Sequence, residues 1–172
     1  MPQLQTLFTP EEIKLAVKRL AQEISRDYQG KNPLFLGVLK GSFIFMADLI
    51  RNLDMPLEVE FVALSSYGQG MESSGKVNVV QDLRTSVKGR DILIIEDIID
   101  TGITLSFLLE YLQCKKPASL KICALFDKAS CRQIPLPIDY LGLSVPDVFV
   151  VGYGLDYDEK FRHLPGLYLL KE

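Results

Sequence analysis

Apolar residues along this chain recur in two rhythms. Over Ile13, Ala16, Val17, Leu20, Ala21 and Ile24 they fall at three- and four-residue spacing, which puts them on one stripe of a helix. Thr9-Pro10-Glu11-Glu12 just before that stripe is a capping box with proline at the first helical position, and Gly30 is a natural stop. Elsewhere apolar residues come in short solid runs bounded by turn formers. Residues 34–39, 77–80, 92–95, 120–126, 148–151 and 167–170 read as strands on this ground, and 57–64 alternates before turning solid. Residues 43–53 and 103–112 read as helices, the second apolar on most sides and therefore buried. Solid apolar strands need cover on both faces, and strands that alternate with helices argue a mostly parallel α/β sheet. Ile134-Pro135-Leu136-Pro137 marks a connector. No repeat or linker divides the 172 residues, so one domain over 1–172 is expected.

One stretch breaks the pattern. Residues 65–76, SSYGQGMESSGK, hold three glycines and four serines among twelve positions. A loop of this length inside a compact domain is expected to be flexible, and such loops are commonly functional lids.

Composition removes several classes of function. The net charge of −3 gives no basic face for nucleic acid. No apolar run reaches membrane-spanning length, and the first residues lack a basic region followed by an apolar core. Cys114, Cys123 and Cys131 are odd in number and lack C-x-x-C spacing, so they read as reduced thiols of a cytoplasmic protein. His163 is the only histidine, which excludes metal sites needing two. There is no G-x-x-x-x-G-K-[ST], and the nearest approach to G-x-G-x-x-G, at 152–157, lacks its third glycine.

The chemistry concentrates at 91–105, DILIIEDIIDTGITL. A buried strand delivers Glu96 and Asp97, and Asp100-Thr101-Gly102-Ile103-Thr104 then opens a helix. Ligands of open α/β sheets bind outside the carboxyl ends of the strands. A small-residue turn at a helix start offers free N–H groups and a positive dipole end to a phosphate, and the threonines add hydroxyls. Acceptor carboxylates beside a phosphate cradle suit a sugar phosphate.

The E-D-I-I-D-T-G segment resembles the 5-phosphoribosyl 1-diphosphate (PRPP) motif of the type I phosphoribosyltransferases, and its wording is close to that of the hypoxanthine-guanine branch. Further segments resemble the same family in the same order. Leu39-Lys40-Gly41-Ser42 matches the diphosphate-binding loop, commonly with a cis peptide at the position of Leu39–Lys40. Ser65-Ser66-Tyr67-Gly68 matches the start of the mobile active-site loop, in which Tyr67 would shield the reacting carbon. Lys128 matches the lysine that meets the purine 6-oxo group. Residues 146–157 with Phe161-Arg162 match the base-binding segment: Phe149 stacks on the purine, Val150 meets its edge by backbone, Leu155 lies beside it, Asp156 coordinates magnesium and Arg162 reaches the diphosphate. Gly154 stands where some relatives have alanine, and His163 has no assigned role.

The resemblance implies the type I phosphoribosyltransferase fold, a mostly parallel twisted sheet with helices on both faces and a small hood from the terminal segments. It implies a magnesium-dependent enzyme of purine salvage, with Asp156, Glu96 and Asp97 as metal ligands and PRPP and a 6-oxopurine as substrates. Phe149 and Ile98 would sandwich the flat base. Asp100 is the candidate group at the purine ring nitrogen, either as a general base or as a hydrogen-bond acceptor. Relatives form homodimers or homotetramers. The residues do not rank hypoxanthine, guanine and xanthine; the alternative, a PRPP- or nucleotide-sensing regulator on the same fold, needs a basic face or an added nucleic-acid-binding module, and the net charge of −3 weighs against it.

Overall fold

The computed structural model describes residues 3–66 and 77–171. The chain runs β1 (Gln3–Phe8), α1 (Pro10–Asp27), β2 (Leu34–Leu39), α2 (Phe43–Arg51), β3 (Glu58–Ser66), β4 (Val77–Gln81), β5 (Asp91–Ile99), α3 (Ile103–Gln113), β6 (Ser119–Asp127), a 3₁₀ turn (Ala129–Cys131), β7 (Tyr140–Ser144), β8 (Val150–Val151) and β9 (Leu167–Lys171). The expected capping box starts α1: the Thr9 hydroxyl accepts from the Glu12 N–H at 3.2 Å, and the Glu12 carboxylate accepts from the Thr9 N–H at 2.8 Å.

Six strands form the main sheet in the order β4-β3-β2-β5-β6-β7, all neighbours parallel except the β3–β4 pair. The solid apolar runs are explained by cover on both faces. Phe35, Leu93, Ile95 and Cys123 face α1 and α2 in one core cluster, while Leu34, Leu36, Ile92, Ile94 and Ile122 face α3 in the other. From β2 the chain moves outward to β3, and from β5 it moves outward in the opposite direction to β6. The order therefore reverses between β2 and β5, and their carboxyl ends flank the crevice where such sheets bind ligands.

A second, antiparallel sheet, β1-β9-β8, is the expected hood. It joins the main sheet through Phe8, whose ring stacks on Phe126 at 6.3 Å, and through Leu167 and Val150 in the α1–α2 core cluster.

The structure corrects several element readings. β1 went unread because its residues are mostly exposed or half-buried and show no solid run. β7, Tyr-Leu-Gly-Leu-Ser, was hidden by a glycine that ordinarily weakens a strand. Here Gly142 is required: a Cβ would lie 2.4 Å from the Leu125 carbonyl oxygen. Only Val150 and Val151 of the expected strand 148–151 pair, and they pair in the hood. Of the expected loop 65–76, Ser65 and Ser66 belong to β3, and residues 67–76, Tyr67 included, lie outside the described residues.

Candidate active site

Four segments meet at the reversal of strand order. The loop after β2 brings Lys40 and Gly41, with the Leu39–Lys40 peptide cis. Gly41 runs against β5 so closely that a Cβ there would sit 1.7 Å from Asp97 Oδ2. The segment after β8 arrives from the hood: Gly154, with φ +99°, lies against Gly41, where a Cβ would be 2.1 Å from the Gly41 carbonyl oxygen. Both positions therefore require glycine, by close approach and, at Gly154, also by backbone conformation.

β5 continues to Ile99, so Glu96 and Asp97 still lie within the strand, not beyond its end. Glu96 is only 8% exposed. Burial, reinforced by the charge of Asp97 beside it, holds its carboxyl well above the usual carboxylate range. Burial also raises Asp97, opposed by the Ile98 N–H that donates to Asp97 Oδ1 at 2.8 Å. Of the two, Glu96 is buried and Asp97 half-buried, and the upward shift is the greater at Glu96. Beyond them Gly102 takes the left-handed conformation at φ +85° to open α3, and the Thr101 hydroxyl accepts from the Ile103 N–H at 3.3 Å. A cavity of about 260 Å³ is lined here by Gly41, Glu96, Asp97, Asp100, Thr101, Gly102 and Thr104 among others. Ile103 contributes its backbone to the turn and is not in the lining.

A second cavity, about 320 Å³, shares Gly41, Asp97, Ile98 and Asp100 with the first. Its other walls are Lys40, Lys128, Phe149, Val150, Leu155, Asp156 and Arg162. The Lys128 side chain is almost buried, and its ammonium stands 3.6 Å from the more exposed Asp100 carboxylate. Phe149 is 53% exposed, an unusual state for a phenylalanine, with its ring edge-on to Tyr157 at 5.7 Å. Asp156 pairs with Arg162 at 3.0 Å and accepts from the Glu159 N–H at 2.9 Å, while Lys40 pairs with Glu159 at 2.9 Å. Ser66 ends β3, and Tyr67 is the one expected site residue outside the described residues. A larger cavity of about 630 Å³ lies between α1, α2 and residues 163–165; it includes His163 and none of the expected site residues.

Comparison with known proteins decides the family. Residues 4–158 match the Phosphoribosyl transferase domain. Over 167 residues the chain is 52% identical to a hypoxanthine-guanine phosphoribosyltransferase of Bacillus subtilis (strain 168), covering 97% of this chain and 93% of that protein. It belongs to the type I phosphoribosyltransferase family.

Solved structures agree with this membership. A hypoxanthine phosphoribosyltransferase of Staphylococcus aureus superposes with a TM-score of 0.93 at 46% identity, over 97% of this chain and 91% of that one. The hypoxanthine phosphoribosyl transferase of Trypanosoma cruzi, studied for the effect of its C-terminal region on oligomeric state and activity, gives 0.91 at 42% identity, over 97% and 91%. This phosphoribosyltransferase is thus a transferase with the expected fold.

Among the described residues no three His, Cys, Asp or Glu side chains converge as a metal site. Asp97 and Asp156 nevertheless line one cavity. Magnesium is commonly held by one or two carboxylates together with substrate oxygens and water, so this donor set fits it. Glu96, 8% exposed and outside that cavity, is the least accessible of the three expected ligands.

Sequence reasoning missed Glu159, which engages both Lys40 and Arg162. It also missed Arg132, which donates to the Asp100 carbonyl oxygen at 3.0 Å. The available signal for Glu159 was positional, one acid within an Asp-Tyr-Asp-Glu run. In the structure Tyr153, Asp158, Glu159 and Phe161 all have positive φ, a cluster of strained residues that marks functional loops.

Proposed function

We propose that this chain transfers the 5-phosphoribosyl group of PRPP to hypoxanthine and guanine, giving IMP or GMP and diphosphate in purine salvage. The observation that carries the reading is the shared wall of the two cavities. Asp100 lies between a phosphate cradle and a pocket that presents an ammonium, Lys128, and a free aromatic face, Phe149. The names of the relatives at about half identity support the same substrates.

In this reading the Thr101–Thr104 turn holds the ribose 5-phosphate. Asp97 accepts from a ribose hydroxyl, with Glu96 beside it in the same cavity wall. Phe149 and Ile98 enclose the purine, Lys128 donates to its 6-oxo group, and the Val150 backbone and Leu155 face its edge. Lys40, the Gly41 backbone and Arg162 surround the diphosphate as it leaves, where fixed positive charge offsets the growing negative charge. Bound magnesium would supply further charge neutralisation at the diphosphate, held by Asp156 with Asp97 and substrate oxygens. Asp100 takes or shares the proton at the purine ring nitrogen while C1′ carries positive charge. The three free cysteines support a cytoplasmic setting, and a homodimer or homotetramer is the assembly this reading takes.

Base choice tests the reading. The Lys128 ammonium donates and cannot accept. Hypoxanthine and guanine present an acceptor at the 6-position, whereas adenine presents a donor. A site built on one specific hydrogen bond rejects a partner that cannot make it, so kcat/KM for adenine should be lower than for hypoxanthine by ~10³-fold. Lys128→Ala should depress hypoxanthine use and narrow that gap. Steady-state rates with hypoxanthine, guanine, xanthine and adenine decide it. Equal use of adenine and hypoxanthine by the unaltered protein would overturn the pocket assignment, and tight PRPP binding without transfer to any base would point to a sensor.

A further inference from the structure

We propose that Arg132 is a positioning residue for base transfer: it fastens the backbone of Asp100 to the strand end that carries Lys128. It thereby fixes the separation of the two groups that meet the purine. The inference rests on the base-site reading above.

Arg132 follows the 3₁₀ turn and belongs to none of the matched segments. Its side chain is only 16% exposed, and Nη2 pairs with the Asp127 carboxylate, itself 8% exposed. Nε donates to the Asp100 carbonyl oxygen at 3.0 Å. The stem lies over the left-handed turn, since a Cβ on Gly102 would be 3.0 Å from Arg132 Cδ. One planar guanidinium thus reaches the residue before Lys128 and Asp100 itself. A flexible ammonium, a point charge without that fork, does not hold two acceptors in such fixed geometry.

The neighbouring bonds isolate what Arg132 does. The Lys128 N–H donates to the Ile99 carbonyl at 3.0 Å, and the Gln133 and Ile134 N–H groups donate to that of Thr101 at 2.9 and 3.1 Å. Three successive carbonyls, of Ile99, Asp100 and Thr101, are therefore held from residues 128–134. Only the central one is held by a side chain. Losing the Arg132 guanidinium while keeping its stem leaves the phosphate turn anchored through Thr101 and removes the side-chain hold on the Asp100 carbonyl.

That freedom matters because the Asp100 carboxylate and the Lys128 ammonium stand 3.6 Å apart, beyond the ~2.7–2.9 Å of a charge-assisted hydrogen bond. Left to their attraction they would close on each other and occupy the edge the purine must reach. A buried Arg–Asp pair carries a desolvation cost that apolar residues of similar volume would avoid. Its distinctive return here is geometry.

Two variants test this. Arg132→Lys keeps a cation beside Asp127 and loses the fork. Asp127→Asn combined with Arg132→Met leaves no unpaired buried charge, so folding is protected while the hold on Asp100 is lost. In both, kcat/KM for hypoxanthine should fall ~10²-fold, the scale of a misplacement of about 1 Å in a reacting group. Affinity for ribose 5-phosphate, measured by calorimetry, should stay at the unaltered protein's value. A purely structural residue would not divide the two readouts. Unchanged kcat/KM in either variant, or parallel loss of ribose 5-phosphate binding and activity, overturns the proposal. The unaltered protein in the same assay tests the parent reading separately: if it transfers to no 6-oxopurine, both fall.

Discussion

Asp100 is held by its backbone, and its carboxylate is left half in solvent within reach of Lys128. A group arranged in this way can change partners without dragging the loop with it. Asp100→Asn preserves size and removes both the charge and the ability to take a proton. It should lower kcat by ~10²-fold or more, as for general acid–base groups, with little change in PRPP affinity by calorimetry. An Asn variant turning over at the normal rate would remove Asp100 from the chemistry. At this scale much of the site was legible. The strand-end acids, the D-T-G-x-T turn, Lys128 and the Phe149–Asp156 segment all stand in contiguous motifs. Arg132, Glu159 and the Gly41–Gly154 contact were not legible, because each acts through a partner distant in sequence that only the fold brings near.

Among the elements, α1 and β7 show how a missed strand is secured. Arg19 in α1 donates to the Leu141 and Gly142 carbonyls at 3.0 and 2.8 Å, which covers the outer edge of the sheet. Tyr140 OH donates to Asp27 Oδ2 at 2.8 Å and joins the end of α1 to the start of β7. This hydrogen bond is the main cause that lowers the Asp27 pKa below its usual value. A carboxyl with a depressed folded pKa stabilises the protein above its unfolded pKa, and that stabilisation is lost as the pH falls through the folded one. Tyr140→Phe should return the Asp27 pKa toward its ordinary value in an NMR titration. Its stability deficit against the unaltered protein should be present at pH 7 in urea unfolding and vanish in acid. A deficit of equal size at both pH values would show that the hydroxyl acts independently of the Asp27 charge. The alternating elements of the main sheet were legible because both faces are covered, which writes solid apolar runs into the sequence. β1 and β7 were not, since a half-exposed strand and a glycine-bearing edge strand leave no such run.

On the scale of the whole molecule, the proposed site spans two sheets. The main sheet supplies the phosphate turn, Asp100 and Lys128, while Val150 of the hood and the segment that follows it supply walls for the base. The hood is small, three strands with one of only two residues, so it should open more readily than β5 and β6. Amide hydrogen exchange should therefore be faster in β1 and β9 than in β5 and β6, and on the proposed reading IMP would contact both sheets and slow the hood amides. Unchanged hood exchange with IMP bound would show that the nucleotide does not join the two sheets.

Gln3 pairs with Lys171 across the hood, so this one ladder closes a loop of nearly the whole chain. The entropic cost of closing so long a loop has to be met before the pairing returns anything, whereas β2, β3, β5 and β6 pair over far shorter separations. Folding should accordingly run from the middle outward. The main sheet should form while β1 is still unpaired, and the hood should be the last layer the chain completes.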